Sequence, residues 1–246
     1  AGAAASLVFF VIHLHWCAKI FGGTGAALIV VPGLFWAAAL ALTRRLQDRL
    51  PAWSIPFALA TVWTGCEYFR GEVWFLGFPW LLVGYSQWNQ EAVLQGAALV
   101  GVYGLSALVV GVNGAVADWI PPRASAGRRT AGLVWIVAAA GLAAWGRGEA
   151  GLWRARAEAG PAVAVAAVQD ESYDDRRLAA WTREAARGSP RPTVIIWPEY
   201  STLLPPGRVA VQRIAELKAL AREGRATLVA GCVSVLGKKY ENFALV

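Results

Sequence analysis

The residue best placed to do chemistry is Glu199, which follows the run Thr193-Val194-Ile195-Ile196-Trp197-Pro198. The β-branched run reads as a strand, the proline stops it, and the carboxylate comes straight after. In open α/β folds, ligand-binding groups gather at the carboxyl ends of strands. A carboxylate there, screened from water by Trp197, suits a general base. By itself a glutamate after a strand is more often a helix start or a solvated side chain, so its neighbours must carry the case. Cys17, Cys66 and Cys232 show no CxxC spacing, which speaks against a zinc or redox site. Cys17 and Cys66 lie in apolar runs and read as small buried residues. Glu67 and Arg70, three residues apart, are expected to pair on one helix face. His13 and His15, two apart, do not share a face and read as interface or packing residues.

The elements that must position these groups differ between the two halves of the chain. Of the 246 residues 57% are hydrophobic and 16% charged, where soluble domains carry about a quarter charged. The apolar residues concentrate before residue 147. Five apolar stretches, about 3–18, 22–42, 53–69, 95–119 and 130–146, predict about five membrane-spanning helices in a domain covering 1–147. A signal peptide would not recur in this way. The net charge of +7 sits in short clusters flanking these stretches, as at membrane borders, and forms no basic face for nucleic acid. Arg44, Arg45 and Arg49 lie in one loop, and Arg123, Arg128 and Arg129 in another. The alternate loops hold only Lys19 and Arg70. With five spans, both Arg-rich loops face the cytoplasm and the segment after 146 faces outward. The segment 70–88 is too apolar for an ordinary loop and too rich in glycine and proline for a clean helix. Its Trp74, Trp80, Tyr85 and Trp88 suit the membrane interface, either as a plain aromatic belt or as a lipid-facing rim beside an active site.

Residues 148–160 read as a linker, and 161–246 as an α/β layer. The pattern predicts strands over 162–168, 193–197, 226–235 and 240–246 and helices over 174–187 and 208–223, in the order βαβαββ. Gly237-Lys238-Lys239 reads as the turn before the last strand. The chain contains no methionine and stops inside an expected strand, so both ends are expected to be cut.

Trp197-Pro198-Glu199 after its strand resembles the glutamate motif of the nitrilase superfamily. The strand ending at Val168-Gln169 is similar to that superfamily's first strand, and Tyr240 to Val246 to the strand after its Gly-rich hairpin. In the membrane half, Arg70-Gly71, Gly77-Phe78-Pro79-Trp80-Leu81, Gly84-Tyr85-Ser86-Gln87, Gly101 to Ser106 and Asn113 resemble one membrane-embedded nitrilase family, the apolipoprotein N-acyltransferases. The resemblance covers about 60–246, and its specificity lies in the combination of motifs.

The resemblance implies a multi-pass α-helical membrane domain followed by a truncated nitrilase-type αββα sandwich. It implies a bacterial inner membrane protein with its catalytic domain on the periplasmic side. The implied chemistry is a Glu–Lys–Cys triad that passes an acyl chain from a phospholipid, through a cysteine thioester, to the amine of an apolipoprotein's diacylglyceryl-cysteine. Glu199 would be the base. Trp80 matches a position near the lipid entrance, and Arg70 and Tyr85 are expected at the substrate too. No cofactor, metal or nucleic acid is called for. Lys238 and Lys239 precede the last strand and Cys232 lies inside the third, so none matches the family's lysine or cysteine. Both are expected beyond residue 246, which would leave these residues inactive alone. Asp170-Glu171-Ser172-Tyr173 and Tyr200 depart from the family pattern. Two other functions fit less of the chain: a membrane-anchored amidase of the same superfamily, and a non-catalytic transporter or scaffold.

Overall fold

The computed structural model describes residues 2–120, 125–170, 174–236 and 239–246, except the side chains of Leu236 and Lys239. Arg123, the departure at Glu171-Ser172-Tyr173 and the turn residues Gly237 and Lys238 lie outside the described residues. The chain divides into two compact units, Ala1–Glu158 and Ala159–Val246.

The first unit is helical: α1 Gly2–Leu14, α2 Cys17–Phe21, α3 Gly25–Leu46, α4 Ile55–Tyr68, α5 Glu91–Leu94, α6 Ala97–Trp119 and α7 Ala126–Ala159. Three of these are long and apolar enough to cross a membrane: Cys17–Leu46, which joins α2 to α3, then α6 and α7. The other two apolar stretches form shorter helices. α4 has 14 residues, about 21 Å at 1.5 Å per residue against a hydrocarbon core of about 30 Å, and it runs on into a π-helical turn at Phe69–Val73. Ile12, Leu34, Leu99 and Val137 stand 61%, 60%, 62% and 61% exposed, so the helices turn apolar side chains outward as a lipid-facing surface does. Inside, Phe10, Leu14, Cys17 and Trp36 form a buried cluster against which Trp63 and Phe78 pack. The expected linker at 148–160 is helical to Ala159 as a continuation of α7, because its alanine, arginine and glutamate are strong helix formers. α6 is broken at Gly101, whose φ of 64° is open to glycine at little cost.

The second unit is a mixed sheet with two helices: β1 Val165–Ala167, α8 Asp175–Ala185, β2 Val194–Ile196, β3 Thr202–Leu204, α9 Arg208–Gly224, β4 Thr227–Leu236 and β5 Lys239–Leu245. β1, β2 and β4 run parallel in that spatial order, β3 pairs parallel with β4, and β5 pairs antiparallel with it. Leu178 of α8 and Leu217 and Leu220 of α9 bury one sheet face with Ile195, Leu228, Ala230 and Cys232. The opposite face, with Val165, Ile196 and Leu203 exposed, has no helix over it among the described residues of 159–246. β3 is absent from the expected βαβαββ order. Three residues between Ser201 and Pro205-Pro206 are too short a run to show a period.

Candidate functional site

The sheet creates the setting of Glu199 by an interruption. Val194–Ile196 pair with Thr227–Val229, and Thr202–Leu204 pair with Cys232–Ser234. The carbonyls of Val229 and Gly231 accept from the amides of Trp197 and Ser201 at 2.8 and 2.9 Å. Carbonyls two residues apart point to the same edge of a strand, so β2 and β3 lie end to end along one edge of β4. Between them the first strand line uses five residues, 197–201, where β4 uses two, 230 and 231. The surplus loops out as a turn at Glu199-Tyr200.

Three features fix that turn. Gly231 sits beneath it, and a Cβ there would collide with the Pro198 carbonyl and come within 2.8 Å of the Glu199 Cα. The Ser201 hydroxyl donates to the Gly231 carbonyl at 2.8 Å. Tyr200 adopts φ 58°, a left-handed conformation that costs a non-glycine residue about 1 kcal/mol. Glu199 is exposed, and its Oε1 accepts a hydrogen bond from the Asn242 side-chain amide on β5. Trp197 does not screen it as the sequence suggested. The indole is buried, 4% exposed, and its Nε1 donates to the Thr182 hydroxyl at 2.8 Å on the helix side of the sheet. Strand residues alternate between faces, so the turn and the indole part company.

Cys232 is fully buried among the helix-side residues, opposite the face that Gly231 turns to Glu199. Burial pushes its thiol above the ordinary range, opposed in part by a hydrogen bond from the Leu245 amide. Such a thiol is inert. A cavity of about 500 Å³ opens between α8 and α9, but Glu199 does not line it. Arg213 on its wall is already paired with Asp175 at 2.6 Å and Glu216 at 2.8 Å.

The aromatic segment of the first unit forms a second cluster. Arg70 and Glu67 are both 0% exposed. They do not form the expected direct ion pair, although their charges act on one another. The backbone of the segment instead takes one nitrogen of Arg70 and one oxygen of Glu67, while Arg70 Nε and Nη2 and Glu67 Oε2 are buried without a partner among the described residues. Arg70 Nη1 donates to the carbonyls of Phe78 at 3.0 Å and Trp80 at 2.8 Å. Glu67 Oε1 accepts from the Val83 amide at 2.9 Å and from Trp63 Nε1 at 3.1 Å. The Gly84 amide donates to the Ser106 hydroxyl at 2.8 Å, and Tyr103 donates to Glu72 at 2.7 Å. Trp80 and Tyr85 remain 43% and 48% exposed, beside Phe75 and Trp88, and Trp80 stacks on Trp16. Arg70 thus touches the segment from beneath, while Trp80 and Tyr85 face outward. Nδ1 of His13 and of His15 donates to the backbone carbonyls of Phe9 and Ile12, for which both rings need the Nδ1–H tautomer.

Sequence reasoning missed Asn242, Ser201, Gly231, Ser106 and Tyr103 as members of these clusters. A glycine in the middle of the 226–235 run was a visible sign of close backbone approach. The other four carry no local signal, because only the strand register and the helix pairing bring them to their partners.

Residues 1–115 match the family model for the apolipoprotein N-acyltransferase N-terminal domain. The chain is also similar to proteins named apolipoprotein N-acyltransferase. It is 33% identical to that of Caulobacter vibrioides over 194 residues, covering 75% of this chain and 34% of the relative. It is 36% identical to that of Brucella melitensis over 188 residues, covering 68% and 32%. It is 30% identical to that of Rhizobium meliloti over 232 residues, covering 86% and 41%. The matched region therefore spans about a third of the length of these relatives.

Proposed function

We propose, from the premise that this chain is a relative of the apolipoprotein N-acyltransferases and carries their N-terminal domain in residues 1–115, that the whole protein N-acylates the N-terminal cysteine of lipoproteins. The observation that carries the reading is the Glu199 turn: an exposed carboxylate on a strained strand interruption, oriented by Asn242. It stands in a chain whose relatives carry that name. The acyl donor is a membrane phospholipid, and the acceptor is the free α-amine of a diacylglyceryl-cysteine.

Glu199 acts as general base in two steps. It takes the proton of a cysteine thiol, whose sulfur attacks the donor's ester carbonyl. The thioester forms, and the lysophospholipid leaves with the proton that Glu199 returns. The acceptor amine then attacks the thioester while Glu199 takes its proton. The amide forms and the proton goes back to the thiolate. A lysine ammonium stabilises the oxyanion in both steps. The buried, helix-side Cys232 does not fill the nucleophile's role; the thiol and the lysine are those that the family resemblance places elsewhere in the whole protein. Residues 159–246 are the front part of a nitrilase-type αββα sandwich, a reading supported by the apolar sheet face that no helix among this unit's described residues covers. They work on the periplasmic side of the inner membrane, a reading that takes α1 and α4 to cross along with the three longer helices, which puts the arginines of the 43–52 and 120–129 loops together on the cytoplasmic side. Trp80 and Tyr85 contact the acyl donor.

The test is the whole protein in lipid nanodiscs, supplied with a diacylglyceryl-cysteine peptide. The expected result, by mass spectrometry, is one acyl chain gained on the peptide amine for each lysophospholipid produced. A peptide recovered unmodified while the protein is folded contradicts the reading.

A further inference from the structure

We infer that Arg70 and Glu67 are positioning residues that clamp the aromatic segment 74–88 against α4 and α6 and so set where Trp80 meets a phospholipid. This rests on the reading of Trp80 as a donor contact. The segment cannot position itself. Between Trp74 and Leu82 it has no regular secondary structure, Gly77 and Leu81 have φ of 49° and 55°, and Pro79 lacks an amide hydrogen. Its backbone groups need partners from elsewhere, and four of them find side chains. Arg70 Nη1 bridges the carbonyls on either side of Pro79, those of Phe78 and Trp80. Glu67 takes the Val83 amide, and Ser106 takes the Gly84 amide. The Phe78 amide in turn donates to the Arg70 carbonyl at 3.1 Å.

The clamp is closely fitted. A Cβ on Gly71 would strike the Tyr103 hydroxyl, and one on Gly84 would strike the Val102 carbonyl just after the break at Gly101. The charged groups lie below and the aromatic surface above: Arg70 and Glu67 are sealed from solvent, while Trp80, Tyr85 and Phe75 stand out. The guanidinium lies 5.9 Å from the ring centres of both Phe10 and Phe78, which ties the segment to α1 as well. Both bonds come from the one Nη1, which the rigid guanidinium plane holds between the two carbonyls; a lysine ammonium sits on a shorter, more flexible stem, so Arg70→Lys keeps the charge and displaces the bridging donor.

The test compares Arg70→Lys, Glu67→Ala and the milder Ser106→Ala with the unaltered protein in nanodiscs. Hydrogen exchange at the Phe78, Val83 and Gly84 amides reports on the clamp. Photo-cross-linking by a diazirine-bearing phosphatidylethanolamine, mapped to residues 74–88, reports on lipid contact without requiring turnover. The expected results are exchange faster by about tenfold and a several-fold loss of cross-links in this segment. Ser106→Ala should affect Gly84 alone, which covers the case in which the charged variants do not fold. In the whole protein KM for the phospholipid should rise about tenfold with kcat nearly unchanged, and Arg70→Lys should add nothing in a Trp80→Ala background. Unchanged exchange overturns the clamp. Faster exchange with unaltered cross-linking overturns its role in lipid positioning. Absence of acyl transfer in the unaltered protein counts against the proposed reaction, while exchange and cross-linking still decide the inference.

Discussion

Glu67 and Glu199 are carboxylates in opposite situations. Glu67 is sealed in the helical unit, with Oε1 shared between an indole and a backbone amide and with Arg70 close enough to feel its charge. Glu199 stands in the open on the sheet unit, with one side-chain amide on it and a strained neighbour. Burying a charge is costly unless its partners are well placed, so a carboxylate buried among fixed donors serves as scaffold. An exposed carboxylate has little to contribute to stability. Backbone strain kept beside such a residue, at Tyr200, points to chemistry instead. The same residue type therefore carries a structural burden in one unit and, on the proposed reading, a reactive one in the other.

That contrast can be broken at several points. The largest effect on stability is expected from Glu67→Ala, which strands the Val83 amide and the Arg70 charge. A loss of about 3–5 kcal/mol should appear as a lower unfolding midpoint in detergent, and an unchanged midpoint would remove the scaffold role. Gly231→Ala forces a methyl group against the Pro198 carbonyl and should cost about 1–3 kcal/mol, while acyl transfer falls because the turn is displaced. Cys232→Ala should cost about 1–2 kcal/mol and leave acyl transfer intact. Because burial raises the Cys232 thiol pKa, the neutral thiol persists at pH values where an exposed cysteine ionises. Labelling at pH 8 should therefore be slow in the folded protein and fast in denaturant. Rapid native labelling with loss of activity would overturn its exclusion as nucleophile. The smallest effect is expected from Tyr200→Gly, which relieves the positive φ and should stabilise the sheet unit by about 1 kcal/mol or less.

Much of the architecture was legible because it is written in periodicity. The 208–223 run kept its helix almost to the residue, whereas the break at Gly101 lay inside a stretch that read as one continuous apolar helix. Glu199 was legible as a strand-end carboxylate, but its environment was not. Sequence could not show that β2 resumes as β3 along the same edge of β4, because Thr202–Leu204 is too short to carry a pattern. That resumption turns a simple strand end into a bulge, while alternation along β2 puts Trp197 on the helix side. The Glu67–Arg70 spacing was also visible, yet i, i+3 proximity suggests an ion pair only when nothing else competes. Here the unpaired backbone of 78–84 competes for both side chains and takes them.

The most direct measurement is acyl transfer by Glu199→Gln in the whole protein, set against unaltered protein at equal amount and equal thermal stability. The substitution keeps shape and an acceptor oxygen for Asn242 and removes only the ability to take a proton. Loss of at least about 100-fold in rate with no change in unfolding midpoint is the predicted result. A variant that acylates its peptide at the unaltered rate would contradict the assignment of Glu199 as the base.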